Sequence, residues 1–155
     1  MAVNKVIEVG QKVRDFTLKD QHNQDITLSS FKGEKVLLSF HPLAWTDICA
    51  TQMKDLERNR DTFATLRTVT LGVSVDSVPC KAAWSDSLEI SHTRLLSDFW
   101  PHGGLAQSLG ILREQEGVSE RANIILDESG TVLVVKIYPI AQVPDIEELI
   151  AFIQK

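Results

Sequence analysis

The chain is poor in cysteine. Its 155 residues hold two, Cys49 and Cys80, too few for a disulfide framework at this length. Neither belongs to a C-x-x-C pair, because Gln52 stands where the second cysteine would be; this counts against a dithiol disulfide reductase. A basic cluster is also missing. The 16 Lys and Arg residues are dispersed among 21 Asp and Glu for a net charge of -5, so no nucleic-acid partner is expected. No apolar run approaches the ~18–20 residues of a membrane span, and no membrane partner is expected. The opening "MAVNKVIEVG" lacks a long apolar stretch and is not expected to act as a signal peptide. His22, His92 and His102 have no ligand spacing with each other or with a cysteine, which argues against a metal site. Gly103-Gly104 lacks the lysine and the G-x-G-x-x-G spacing of a phosphate loop. No cofactor is expected.

What is present fits one domain, residues 1–155. Hydrophobic residues make up 43% and charged residues 24%, the balance of an ordinary globular domain. At this size a core forms without disulfide staples. Free thiols then suit a reducing, cytoplasmic compartment, where cysteine is more often reactive than structural.

Periodicity predicts the elements. "DFTLKDQHNQDITLSSF" (15–31) reads as two short strands around a polar turn. "KVLLSF" (35–40) and "TVTLGVSVD" (68–76) are apolar runs of the kind buried on both faces. From Cys49 the spacing Cys49, Met53, Leu56, Arg60, Phe63 predicts one helix, with "KDLERNRD" as its solvated side. "VPCKAAWSDSL" (78–88) is expected as a short helix with Pro79 in its first turn. "TRLLSD" is expected as a strand, and "HGGLAQSLGIL" as a helix stopping at Gly110. "ANIILDESGTVLVVKIY" reads as a hairpin turning at "DESG", and "PDIEELIAFIQK" as a closing amphipathic helix. Alternating strands and helices imply an α/β fold: a mixed central sheet with helices on both faces and an N-terminal hairpin.

Cys49 lies in "SFHPLAWTDICATQM", after a buried strand and at the head of its helix, where reactive groups collect in such sheets. The unpaired N–H groups of a first turn favour an anion. A free thiol with pKa ~8.5 is only a few per cent ionised at neutral pH, so a lowered pKa gains at most ~30-fold in thiolate. A fast cysteine enzyme therefore also needs donors aimed at the atoms that gain charge. Thr46 can offer a hydroxyl to the sulfur or to a bound oxygen, and Pro42 can stiffen and cover the loop.

"HPLAWTDIC" resembles the P-x-x-x-T-x-x-C motif of the peroxiredoxins, thiol peroxidases on a thioredoxin-like three-layer fold. "VSVDS", "LLSDFWP" and "RANIILDESG" also resemble the family, and the likeness runs from about Val13 to the C-terminus. The resemblance implies that Cys49 attacks the peroxide O–O bond and becomes a sulfenic acid. It implies that Thr46 hydrogen-bonds the peroxide, that Pro42 shields the pocket, and that Arg121 holds the thiolate and the peroxide oxygens. It further implies a homodimer, in which the regions of Trp45 and Phe99–Pro101 meet, and an external thiol reductant such as a thioredoxin-like protein. Many members carry glutamate three residues after the cysteine. Gln52 stands there instead and cannot anchor Arg121 with charge. Asp47 is expected to face solvent, since an inward carboxylate would oppose the thiolate.

Each residue has a plainer reading beside this one. Thr46 alone would be a helix cap, Pro42 a loop proline, Arg121 a surface arginine and His41 a strand-end histidine. Cys80 is open between packing, resolving the Cys49 sulfenic acid within the chain, and bonding to a partner chain. The resolving role is the expectation adopted: Cys80 is the only other cysteine, it emerges at the same sheet edge, and a helix start favours its thiolate. The expected function is reduction of hydrogen peroxide or alkyl hydroperoxides, with Cys80 or an external thiol resolving Cys49. The alternative is a redox sensor oxidised at Cys49 that signals to a partner protein.

Overall fold

The computed structural model describes residues 5–155; the first four residues of the N-terminal segment discussed above lie outside them. A hairpin of β1 (Thr17–Lys19) and β2 (Asp25–Thr27) is followed by a 3-10 turn at Leu28–Phe31 and by β3 (Lys35–Phe40). The chain continues through α1 (Asp47–Arg58), α2 (Arg60–Thr65), β4 (Thr68–Ser74), α3 (Val78–Ser87), β5 (Arg94–Ser97) and α4 (Gly104–Ser108). It ends with β6 (Leu112–Arg113), β7 (Val118–Ser119), β8 (Arg121–Leu126), β9 (Val132–Tyr138) and α5 (Ile146–Gln154). Seven strands form one sheet in the order β2-β1-β5-β4-β3-β8-β9. β3, β4 and β5 are parallel, and antiparallel strands extend the sheet on both sides. The expected mixed α/β sheet is thus present.

The apolar strand runs split between two cores, as period-2 alternation requires. Val36, Leu38 and Phe40 of β3 pack with Leu71, Val73, Leu96 and with α4 through Leu105, Ala106 and Leu109. Leu37, Leu95 and Ile125 face the other way, onto α1, α2, α3 and α5 through Met53, Leu56, Phe63, Trp84, Leu149 and Ile153. Helices therefore cover both faces, four of them on one side.

Three local expectations differ. The helix of Cys49 begins two residues earlier, at Asp47, and it breaks at Asn59 instead of running through Phe63. Asn59 leaves helical geometry, and its side-chain amide donates to the Asp55 carbonyl at 2.8 Å, in competition with continued helix. The "KDLERNRD" face is not wholly solvated, because Glu57 is buried. The small β6–β7 ladder, braced by Arg113 contacts to Glu116 and Glu120, has no periodic signal in its two-residue strands.

Strand pairing then places the chemistry. β8 runs antiparallel to β3, with Ser39 opposite Asn123 and Phe40 opposite Ala122. Arg121, at the start of β8, therefore sits beside the C-terminal end of β3. Alternation puts Arg121 and Asn123 on the same face as Ile125, toward α1. Gly72 on β4 lets α1 come close, since a Cβ there would run into Met53 and Leu95.

Candidate active site

Cys49 lies in the first turn of α1, on a buried stripe with Gln52, Met53 and Leu56. That spacing is the i, i+3, i+4, i+7 pattern of one helix face. Cys49 is 1% exposed, and its sulfur meets Arg121, whose Nη1 donates to Sγ at 3.3 Å. The guanidinium is fixed at two further points. Nη1 donates to Gln52 Oε1 at 2.7 Å, and Nε donates to the Ile140 carbonyl at 2.9 Å. Gln52 is held in turn, its Nε2 donating to Ser39 Oγ at 2.8 Å and to the Phe40 carbonyl at 3.1 Å. The neutral amide thus aims Arg121 by geometry, without the charge of a glutamate. A carboxylate there would spend part of the guanidinium's field; the amide leaves that field to the sulfur.

The loop from His41 to Thr46 joins β3 to α1 and leads into Cys49. Pro42 is buried. Trp45 takes a left-handed φ of 69°, a conformation that costs a non-glycine residue of order 1 kcal/mol and clusters at functional loops. Asp76, beyond β4, pins the loop: its Oδ2 accepts from the Ala44 N–H at 2.8 Å and from Ser74 Oγ at 2.6 Å. Thr46 stands at the N-cap of α1 but makes no side-chain cap bond. Its hydroxyl instead donates to the Leu43 carbonyl at 2.7 Å. The donor expected for the sulfur is already engaged, so the Thr46 oxygen is left as an acceptor. Asp47 is exposed, as expected.

Cys80 occupies the first turn of α3, where Ser77 caps the helix by accepting from its N–H at 3.4 Å. The expected favouring of its thiolate is reversed. Burial raises the Cys80 pKa first, and the Asp76 carboxylate, 3.7 Å from Sγ, raises it further. The Trp45 side chain, whose indole N–H is its one donor, opposes that rise. Trp45 thus links the loop before Cys49 to Cys80. Both cysteines are free.

His41 and Lys81 form a buried pair that the sequence reading missed. Lys81 is 0% exposed, and its Nζ lies 2.7 Å from Nε2 of His41. His41 stacks toward Trp84 at 5.3 Å between ring centroids. Burial, with the neighbouring charges of Lys81 and Arg121, holds the His41 pKa well below its ordinary value. His41 is therefore a neutral acceptor, a strand-end histidine directly after β3 that is buried from water. A signal was available: Lys81 precedes Trp84 by three residues in a helix, which puts it on the same face as an aromatic core residue.

A buried helix-start cysteine under a fixed guanidinium is an arrangement suited to thiol chemistry. Comparison with known proteins agrees. The AhpC/TSA family matches residues 9–135. Alkyl hydroperoxide reductase E of Mycobacterium tuberculosis is 38% identical over 128 residues, covering 82% of this chain and 83% of that protein. Peroxiredoxin-1 of Gekko japonicus is 30% identical over 156 residues, covering 94% and 77%. The reduced 2-Cys peroxiredoxin of Plasmodium vivax superposes with a TM-score of 0.85 at 27% identity, covering 94% of this chain and 80% of that one. The chain belongs to the AhpC/TSA family of peroxiredoxins, and it is a thiol-dependent hydroperoxide reductase. Among the described residues no helix is long and apolar enough to cross a membrane.

Proposed function

We propose that Cys49 is the peroxidatic cysteine and that hydrogen peroxide or an alkyl hydroperoxide is its substrate. The observation that carries this is the 3.3 Å contact from Arg121 to Sγ, on a guanidinium held at two other points. The thiolate attacks the terminal peroxide oxygen. The S–O bond forms, the O–O bond breaks, and the alkoxide takes a proton to leave as alcohol or water. Arg121 neutralises charge first on the sulfur and then on the oxygens. Thr46 accepts from the peroxide O–H and so orients it, while Pro42 excludes water.

Cys80 is the proposed resolving cysteine. In its support, Cys80 and the Cys49 loop share Asp76 and Trp45 as neighbours. A disulfide requires Cα atoms within ~4.4–6.8 Å, so a first helical turn must open. That loses few hydrogen bonds, since first-turn N–H groups have no partners within the helix. Two external thiols, such as the dithiol of a thioredoxin-like protein, then reduce the disulfide by exchange and are themselves oxidised to a disulfide. Exposed Leu43, Trp45, Phe99 and Trp100 lie after β3 and β5, at one end of the parallel strands. They suit the interface of a homodimer. Two free cysteines and one domain are in keeping with a cytoplasmic enzyme.

The test is peroxide consumption coupled to an external thiol. The wild type turns over repeatedly, whereas Cys49→Ser is inactive because a hydroxyl is a far poorer nucleophile. A variant that keeps a substantial part of the wild-type rate contradicts the assignment, and a wild type that reacts only once is not a peroxidase.

A further inference from the structure

Ser39 is a fully buried hydroxyl that the reaction above does not use. It lies on β3, where the other buried residues, Val36, Leu37, Leu38 and Phe40, are all apolar. Alternation turns it with Leu37 toward α1. Burying a hydroxyl costs stability unless it is hydrogen-bonded, and an apolar residue would simply continue the run. The bond that Ser39 makes is to Gln52, whose Nε2 donates to its Oγ at 2.8 Å.

An amide has two unlike ends, and the fold must choose which one meets Arg121. The two hydrogens of Gln52 Nε2 are taken by Ser39 Oγ and by the Phe40 carbonyl, the latter at 3.1 Å. Oε1 is then left to accept from Arg121 Nη1 at 2.7 Å, and the same Nη1 reaches Cys49 Sγ at 3.3 Å. A turned amide would set N–H groups against the guanidinium donors and its oxygen against the Phe40 carbonyl. Any residue at position 40 brings that backbone carbonyl. The Ser39 side chain is therefore the part of the device that the sequence selects.

We propose that Ser39 is a positioning residue for the peroxide reaction: it holds the Gln52 amide in the orientation that aims the Arg121 guanidinium at the Cys49 sulfur. The proposal rests on Cys49 being the reactive thiol. Ser39 acts through two residues, Gln52 on α1 and Arg121 on β8. The bonds run in one direction: Arg121 donates to Gln52, and Gln52 donates to Ser39. An amide whose N–H is engaged is a better acceptor at its oxygen, so each link strengthens the next. Arg121, Gln52 and Ser39 are all buried, which keeps water from competing for these bonds. Without the Ser39 oxygen, Nε2 keeps only the Phe40 carbonyl and can swing about it. Oε1 swings with it, and the Ile140 carbonyl becomes the one firm hold on Arg121. Misplacing a transition-state donor by about 1 Å can cost up to ~10²-fold in rate.

A double-mutant cycle tests this, read as the second-order rate with hydrogen peroxide at a pH where the thiol is fully ionised, so that placement of the arginine is what is measured. Ser39→Ala should lower the rate about tenfold. In an Arg121→Met background the same substitution should change the rate by less than about twofold, because the residue it acts through is gone. A loss of the same size in both backgrounds is a packing effect and overturns the proposal. Cys49→Ser, assayed alongside, separates the two readings. An active Cys49→Ser overturns the assignment of Cys49 and this proposal with it. An inactive Cys49→Ser together with Ser39→Ala at the wild-type rate overturns this proposal alone. Should Ser39→Ala fail to fold, as judged by near-UV circular dichroism, Ser39→Val takes its place in the cycle, since it fills the strand without supplying an acceptor, and the same outcomes decide.

Discussion

Glu57 and Lys81 are both buried charges, and the protein treats them in opposite ways. Glu57 receives the N–H groups of Ser91, His92 and Thr93 and the hydroxyls of Ser91 and Thr93, at 2.8 to 3.2 Å. Burial works against its charge, but these donors prevail and hold its pKa down to about 2. The carboxylate clasps the turn between α3 and β5 to the end of α1. Lys81 has one neutral partner, and burial carries its pKa down to about 7. The neutral donors around Glu57 stabilise its charge in place, and because the carboxylate touches no reacting group its role is structural. Arg121 falls between the two: it is oriented by neutral oxygens at Gln52 and Ile140 and turns its charge on Cys49.

The largest effect on this contrast comes from Arg121→Met. The second-order rate with peroxide should fall by on the order of 10²–10³, the usual loss for one transition-state donor. Part of that loss should persist at high pH, where the thiol is fully ionised. Complete rescue by alkali would confine the arginine to promoting the thiolate. Thr46→Val should slow the same step by about 10² while the circular dichroism spectrum stays unchanged. An unaltered stopped-flow rate would remove the Thr46 oxygen from the site.

Glu57→Gln sharpens the comparison from the structural side. Peroxide reduction by folded protein should remain within about twofold of wild type, since Glu57 touches no reacting group. Stability should drop by roughly 2–3 kcal/mol at neutral pH. The sign follows from the lowered pKa. The wild-type advantage is complete above the unfolded carboxyl value of about 4.5 and disappears as pH falls toward 2. Denaturant melts of both proteins at several pH values check this, and a gap that widens in acid would contradict it. The smallest change is Cys80→Ser under excess peroxide without reductant. Wild type should stop at a disulfide, lighter by two hydrogens, while the variant proceeds to sulfinic acid. Equal oxygen gain in both would make Cys80 a packing residue.

The fold was legible where a segment has one period. "KVLLSF" and "TVTLGVSVD" are buried strands because their apolar runs fill both cores, and "DESG" turns the β8–β9 hairpin. The break at Asn59 escaped because a side-chain hydrogen bond decided it, not periodicity. The P-x-x-x-T-x-x-C spacing brought Cys49, Thr46 and Pro42 together, and Arg121 joins them through the β3–β8 register. Hydrogen-bond direction was not legible. The Thr46 hydroxyl goes to Leu43, and the Cys80 thiol is held by Asp76. Glu57 reads as a solvated charge and Lys81 does not stand out, because composition does not reveal whether three backbone N–H groups or one imidazole wait in the fold.

Peptide mapping after one equivalent of hydrogen peroxide, without reductant, tests the central assignment most directly. Oxidation should fall on the Cys49 peptide, as an added oxygen trapped by a sulfenic-acid reagent or as a disulfide to Cys80. Peroxide consumed with Cys49 still alkylatable would contradict it.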